Sequence, residues 1–176
     1  MALRGLTAAV IFITGLAVRL HAQEFRPPPT AANAGGTRIA LLGFGARSGI
    51  DFTGSDQLVV GLTLDLGQLF TNRLRLRPSG EIGVGSGAST YVGSLEALFR
   101  FTGDAAPAIP FAGAGLSVVG QERCDSAPGC PDLWFDVVIG FELPFRATFN
   151  WLLEYHGMDA LRRHRFYVGL TTRRFP

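Results

Sequence analysis

The chain has 176 residues, enough for one domain, with 16 basic side chains, all arginine, against 14 acidic ones. Two arginines, Arg4 and Arg19, flank an N-terminal apolar run, and from Gln23 onward the two signs are equal in number, which excludes a basic nucleic-acid surface as the organising feature. After that run no uninterrupted apolar segment is long enough to cross a membrane as a helix, although the chain is 47% hydrophobic and carries 23 glycines and 14 phenylalanines.

Taken in chain order, Arg4 is followed by an uncharged stretch from Gly5 to Val18, and Leu20-His21-Ala22 places a small residue before Gln23. That layout is a secretory signal peptide, residues 1–22, cut near Ala22; the run is too short for a comfortable spanning helix. Residues 23–36, QEFRPPPTAANAGG, are rich in Pro, Ala and Gly and read as a flexible periplasmic lead-in. Residues 37–176 read as one all-β domain.

Within that domain, strand-like segments alternate with turn signals. They run over about Arg38–Ala46, Leu58–Gly67, Leu74–Gly85, Tyr91–Thr102, Pro110–Gln121, Leu133–Leu143, Ala147–His156 and Arg165–Phe175. Each shows period-two alternation. In LRLRPSGEIGVG (74–85), Leu74, Leu76, Ile82 and Val84 share one face, and Arg75, Arg77 and Glu81 share the other. Eight such segments without a convincing helix predict an eight-stranded antiparallel up-and-down barrel. The links near 68–73 and 144–146 are short, with 103–109 longer; those near 48–56, 121–132 and 157–163 are longer and more polar. Short turns on one rim and longer loops on the other match a membrane barrel with both termini in the periplasm.

The apolar parity recurs in nearly every strand, so it forms a belt. Its opposite carries charge: Asp65, Arg75, Arg77, Glu81, Glu96, Arg100, Asp136, Glu142, Glu154 and Arg165, with His156 and Arg173. A soluble barrel would turn the apolar parity inward around a greasy ligand; a membrane barrel would turn it outward. Charges of both signs at mid-strand favour the second, because a narrow lumen requires them to neutralise one another. Eight strands leave an interior just wide enough for side chains to fill. Aromatics near strand ends predict interface girdles: Phe101, Phe111, Phe145, Phe149 and Phe175 on the periplasmic side, and Tyr91, Trp134, Tyr155 and Phe166 on the other.

The segments LDLGQLFTNRLRLRPSGEIGVG, FRFTGDAAPAIPFAGAGLS and FYVGLTTRRF resemble the second-to-third, fourth-to-fifth and last strands of the small bacterial outer-membrane barrels of OmpA-like and OmpX-like architecture. The resemblance covers Gly36 to the end. It implies a bacterial outer-membrane location, surrounding lipid and lipopolysaccharide, and insertion by the barrel-assembly machinery. That machinery reads an aromatic at the C-terminus; here Phe175 is followed by Pro176, and Thr171 and Arg173 share its parity.

Cys124 and Cys130 frame CDSAPGC, and in an exported chain they predict a local disulfide. The loop offers too few ligands for a metal site, and no cofactor site is expected. Glu154-Tyr155-His156 is similar to part of the site of small lipid A deacylases, which carry a His-x-Ser pair and a Glu. Here Gly157 and Met158 follow His156, so the nucleophile is missing and catalysis is not expected. The glycines of Gly43–Gly49 read as strand bends, since no helix follows to make a phosphate loop. Arg162, Arg163 and Arg165 at the outer rim are candidate contacts for lipopolysaccharide phosphates. The reading is a non-enzymatic outer-membrane barrel with a structural or surface-interaction role, plugged by arginine–carboxylate pairs, its surface partner unidentified. A narrow or gated pore, a soluble barrel for an apolar ligand and a lipid A-modifying enzyme are the alternatives.

Overall fold

The computed structural model describes residues 37–53, 56–85, 88–122, 124 and 130–173. The signal peptide, the lead-in and the Phe175–Pro176 terminus lie outside the described residues. Within them the chain forms β1 (Arg38–Asp51), β2 (Gln57–Gln68), β3 (Leu74–Gly85), β4 (Thr90–Arg100), β5 (Ile109–Gln121), β6 (Asp132–Pro144), β7 (Phe149–Met158) and β8 (Arg163–Thr172). Each strand pairs antiparallel with the next. β8 closes onto β1 in a register running from Gly45↔Thr171 to Asp51↔Arg165. That seven-pair ladder joins the first strand to the last, as a barrel in hydrocarbon requires.

The alternation sets the faces. Leu62 is 67% exposed on the outer wall, and Ile82, Leu95, Leu116, Phe135, Ile139 and Val168 are exposed there too. Arg47, Arg77, Glu81, Glu96, Glu154 and Arg165 are buried in the lumen. A slip of one residue in any pairing would exchange these sets, so a charge in lipid is the physical penalty that fixes the register.

Three expectations are corrected. First, β1 does not stop at Ala46. Arg47, Gly49 and Asp51 continue the ladder, opposite Gly61, Val59 and Gln57 on β2 and Gly169, Tyr167 and Arg165 on β8. Glycine is needed at 49, where a Cβ would lie 2.2 Å from the Phe166 carbonyl oxygen. Second, β7 reaches Met158 and β8 starts at Arg163, so the connection between them is the tight turn 159–162, with positive φ at Asp159, Ala160 and Leu161. The links on that rim are thus 52–56, 86–89, 122–131 and 159–162, against 69–73, 101–108 and 145–148 on the rim of the chain ends. Only 122–131 is distinctly long, because pairing has absorbed residues that read as loop. It carries the Cys124–Cys130 disulfide, with Cα atoms 5.1 Å apart.

Third, two girdle aromatics are interior. Phe111 is buried beside Leu98, Val138 and Leu152. Trp134 packs against Val92, Val119 and Met158 in the mouth of the lumen. Both stand on the inward parity of their strands, and the lumen needs large apolar side chains to fill it between its polar groups. Phe101, Phe145, Phe149, Tyr91 and Phe166 are on the outer wall, with Tyr155 half-buried beside Phe166.

Candidate functional site

The inward face of β1 reads Gly45, Arg47, Gly49, Asp51. A Cβ at Gly45 would press on the Thr63 and Thr171 side chains, and one at Gly49 on the Tyr167 ring that Arg47 stacks against. Arg47 reaches across the lumen to three other strands. Its Nη2 lies 2.5 Å from Glu81 Oε1 on β3 and 3.5 Å from Glu96 Oε1 on β4, and its Nη1 lies 2.6 Å from Glu154 Oε2 on β7. Nη2 also donates to Ser79 Oγ at 3.0 Å, and the guanidinium stacks 4.6 Å above the Tyr167 ring.

Arg77 holds the same carboxylates from the other side. Its Nε donates to Glu96 Oε2 at 2.8 Å, and its Nη1 pairs with Glu154 Oε1. Arg165 links Asp51 and Glu81 at 2.9 Å and 3.0 Å, and the Tyr167 hydroxyl donates to Glu81 Oε2 at 2.7 Å. Three arginines and four carboxylates thereby form one continuous network spanning β1, β3, β4, β7 and β8. An isolated charge at this depth would cost several kcal/mol, an order-of-magnitude figure, so sharing Glu81, Glu96 and Glu154 each between two arginines is the arrangement that makes burial tolerable.

Glycines on neighbouring strands make the network fit. A Cβ at Gly61 would lie 2.8 Å from Glu81 Cγ, one at Gly115 would lie 3.0 Å from Glu96 Cγ, and one at Gly169 would lie 3.0 Å from Arg47 Cβ.

The remaining expected lumen residues are distributed differently. Arg100 pairs with Asp104 in the β4–β5 turn and lies 3.2 Å from Glu142, which also accepts from Asn150. Arg75 stands 3.8 Å from Asp104. Asp65 accepts the Gly67 N–H at 2.9 Å. Asp136 is a correction to the expectation of arginine pairing: it accepts from the Ser117 hydroxyl, and among the described residues no arginine lies within ion-pair distance of it. The Ser117 hydroxyl in turn lies 2.6 Å from that of Ser94.

Arg165 is also corrected as a lipopolysaccharide contact, since it is fully buried in the lumen. Arg163 turns over the Trp134 ring at 4.8 Å and approaches Asp51 at 3.9 Å, at the lumen mouth. Arg162 is exposed in the β7–β8 turn. His156 is inside the lumen, 3.4 Å from Glu154 and edge-on to Tyr167, and Glu154 is committed to two arginines.

Arg47, Asp51, Tyr167 and Asp104 were not among the expected lumen residues. For Arg47 and Asp51 a signal exists: Phe44, Ala46, Ser48 and Ile50 keep the outward parity going past Ala46, which makes 47 and 51 inward. Tyr167 shares the parity of Arg165. Asp104 sits in a turn, where parity says nothing.

An apolar outer belt around a closed, charge-filled cylinder suits hydrocarbon outside and not water. The chain is a membrane β-barrel. No family model matches it, and no curated protein matches its sequence. Solved structures do. The N-terminal barrel domain of Pseudomonas aeruginosa OprF is similar at a TM-score of 0.57 and 15% identity, covering 75% of this chain and 97% of that one. Neisserial surface protein A (NspA) is similar at a TM-score of 0.54 and 13% identity, covering 74% and 94%. A de novo designed transmembrane β-barrel reaches 0.52 at 9% identity, covering 77% and 98%. The fold is that of the eight-stranded outer-membrane barrels. Similarity to an idealised design at so low an identity fits a fold held by alternation and closure more than by particular residues.

Proposed function

We propose that this outer-membrane barrel is non-enzymatic and serves a structural or surface-interaction role, with its lumen closed by the arginine–carboxylate network. The observation that supports this reading is Arg47 bridging from β1 to Glu81, Glu96 and Glu154 on three other strands, directly across the path a solute would take. Val92, Val119, Met158 and Trp134 add an apolar layer on the loop side of that crossing. The surface offered to a partner is then on the loop rim, where the exposed Arg162 is suited to lipopolysaccharide phosphate. Assembly machinery acting on the last strand is the partner expected during insertion.

Planar-bilayer recording on the refolded chain tests the closed lumen. Silence is expected for the wild type, and regular single-channel steps would refute the plug. Mass spectrometry of lipid A from cells with and without the protein tests the absence of enzymatic activity: identical profiles are expected, and a new or missing acyl chain would refute it.

A further inference from the structure

A second polar chamber lies in the lumen at the rim of the chain ends, adjoining the network around Arg47 at Arg77. It is a cavity of about 40 Å3 whose lining includes Arg75, Arg100, Asp104, Glu142, Asn150 and Thr171. One buried water needs only about 10–15 Å3, so the chamber has room for something larger.

Its hydrogen bonding is lopsided. The Arg75 side chain is only 7% exposed, yet its Nε and Nη1 have no hydrogen-bond partner, and its nearest carboxylate, Asp104, stands 3.8 Å from Nη2. Arg100 spends Nη1 on Asp104 and Nη2 on Glu142, while its Nε is also without a partner. The Thr171 hydroxyl is buried and unpartnered as well. Against these donors, the fully buried acceptor without a partner among the described residues of the lining is Asn150 Oδ1. Asp65 also lines the cavity, and its carboxylate accepts the Gly67 N–H. A buried guanidinium short of acceptors is a costly arrangement that an incoming anion would relieve.

The geometry points to a binding site for a small oxyanion, phosphate or carboxylate, held by the open edge of the Arg75 guanidinium together with Arg100 Nε and the Thr171 hydroxyl. The planar fork of arginine matches two oxygens of such a group, and enclosure in the lumen strengthens charge-assisted hydrogen bonds. Asp104 competes with the ligand, because it draws on both arginines. Access is from the rim, where the Asp104 side chain is 36% exposed.

The test is calorimetric titration of the full chain, refolded in detergent, with inorganic phosphate and separately with acetate. Saturable binding of either probe is expected, and which one binds assigns the class. Arg75→Gln should weaken it at least about tenfold, as loss of a charge-assisted pair requires. Asp104→Asn should tighten it about threefold or more by removing the competing carboxylate. Asp56→Asn, exposed at the opposite rim, should leave it unchanged. If Arg75→Gln does not give a folded band on a detergent gel, Asp104→Asn decides: tighter binding supports the site, and equal or weaker binding overturns it. No saturable binding up to about 10 mM in both the wild type and Asp104→Asn means the chamber holds water only, and overturns the site. Undiminished binding in Arg75→Gln overturns it too.

Discussion

Replacing Arg47 with Met removes the cation that Glu81, Glu96 and Glu154 share, while keeping much of its bulk. Removing one partner of a buried ion pair typically costs about 3–5 kcal/mol, because the other is left uncompensated. Here the carboxylates are not abandoned: Arg77 still holds Glu96 and Glu154, and Arg165 still holds Glu81. The loss should therefore sit near the lower end, at about 3 kcal/mol. Arg47→Lys keeps the charge but cannot satisfy Glu81 and Glu154 with two separate nitrogens of a rigid fork, so about half that loss is expected. Urea unfolding in lipid vesicles, followed by tryptophan fluorescence, reads the change as a lowered midpoint at constant slope. Combining Arg47→Met with Glu154→Gln should recover part of the loss, with a coupling of about 1–3 kcal/mol. A single mutant within about 0.5 kcal/mol of wild type, or a cycle additive to that margin, would show that water rather than the network solvates these acids and would refute the reasoning.

Leu62→Arg on the outer wall should cost about 2–4 kcal/mol in vesicles if that wall meets mid-bilayer hydrocarbon; a shift within about 0.5 kcal/mol in the same urea titration would mean it faces water. Gly61→Val, whose first added carbon would press on Glu81 and on the Gly80 carbonyl, should lose the heat-modifiable folded band, whereas Gly93→Val, with nothing within 4 Å, should keep it. Changing Cys124 and Cys130 together to Ser opens a loop of sequence separation 6, which should lower stability by at most about 2 kcal/mol and leave the folded band in place.

Much of the fold was legible because a strand in a barrel has only two faces. Leu58, Val60, Leu62 and Leu64 can share a wall only by sending Val59, Gly61, Thr63 and Asp65 to the other. The same logic assigned Arg77, Glu81, Glu96 and Glu154 to the lumen. It failed at Arg47 because Gly45, Ser48 and Gly49 carry turn chemistry, and local chemistry outweighed the alternation running through them. It failed at Phe111 and Trp134 because aromatic character suggested an interface while their parity pointed inward.

Alternation along each segment therefore decided by itself that this chain makes strands, how many, and which side chains share a face, since side-chain direction is a local property of extended backbone; the balance of charges on one face then pointed the other at oil. Which arginine meets which acid was decided only in three dimensions. Those partners stand on strands distant in sequence, and the stagger of the closed cylinder alone sets the height at which each side chain enters the lumen.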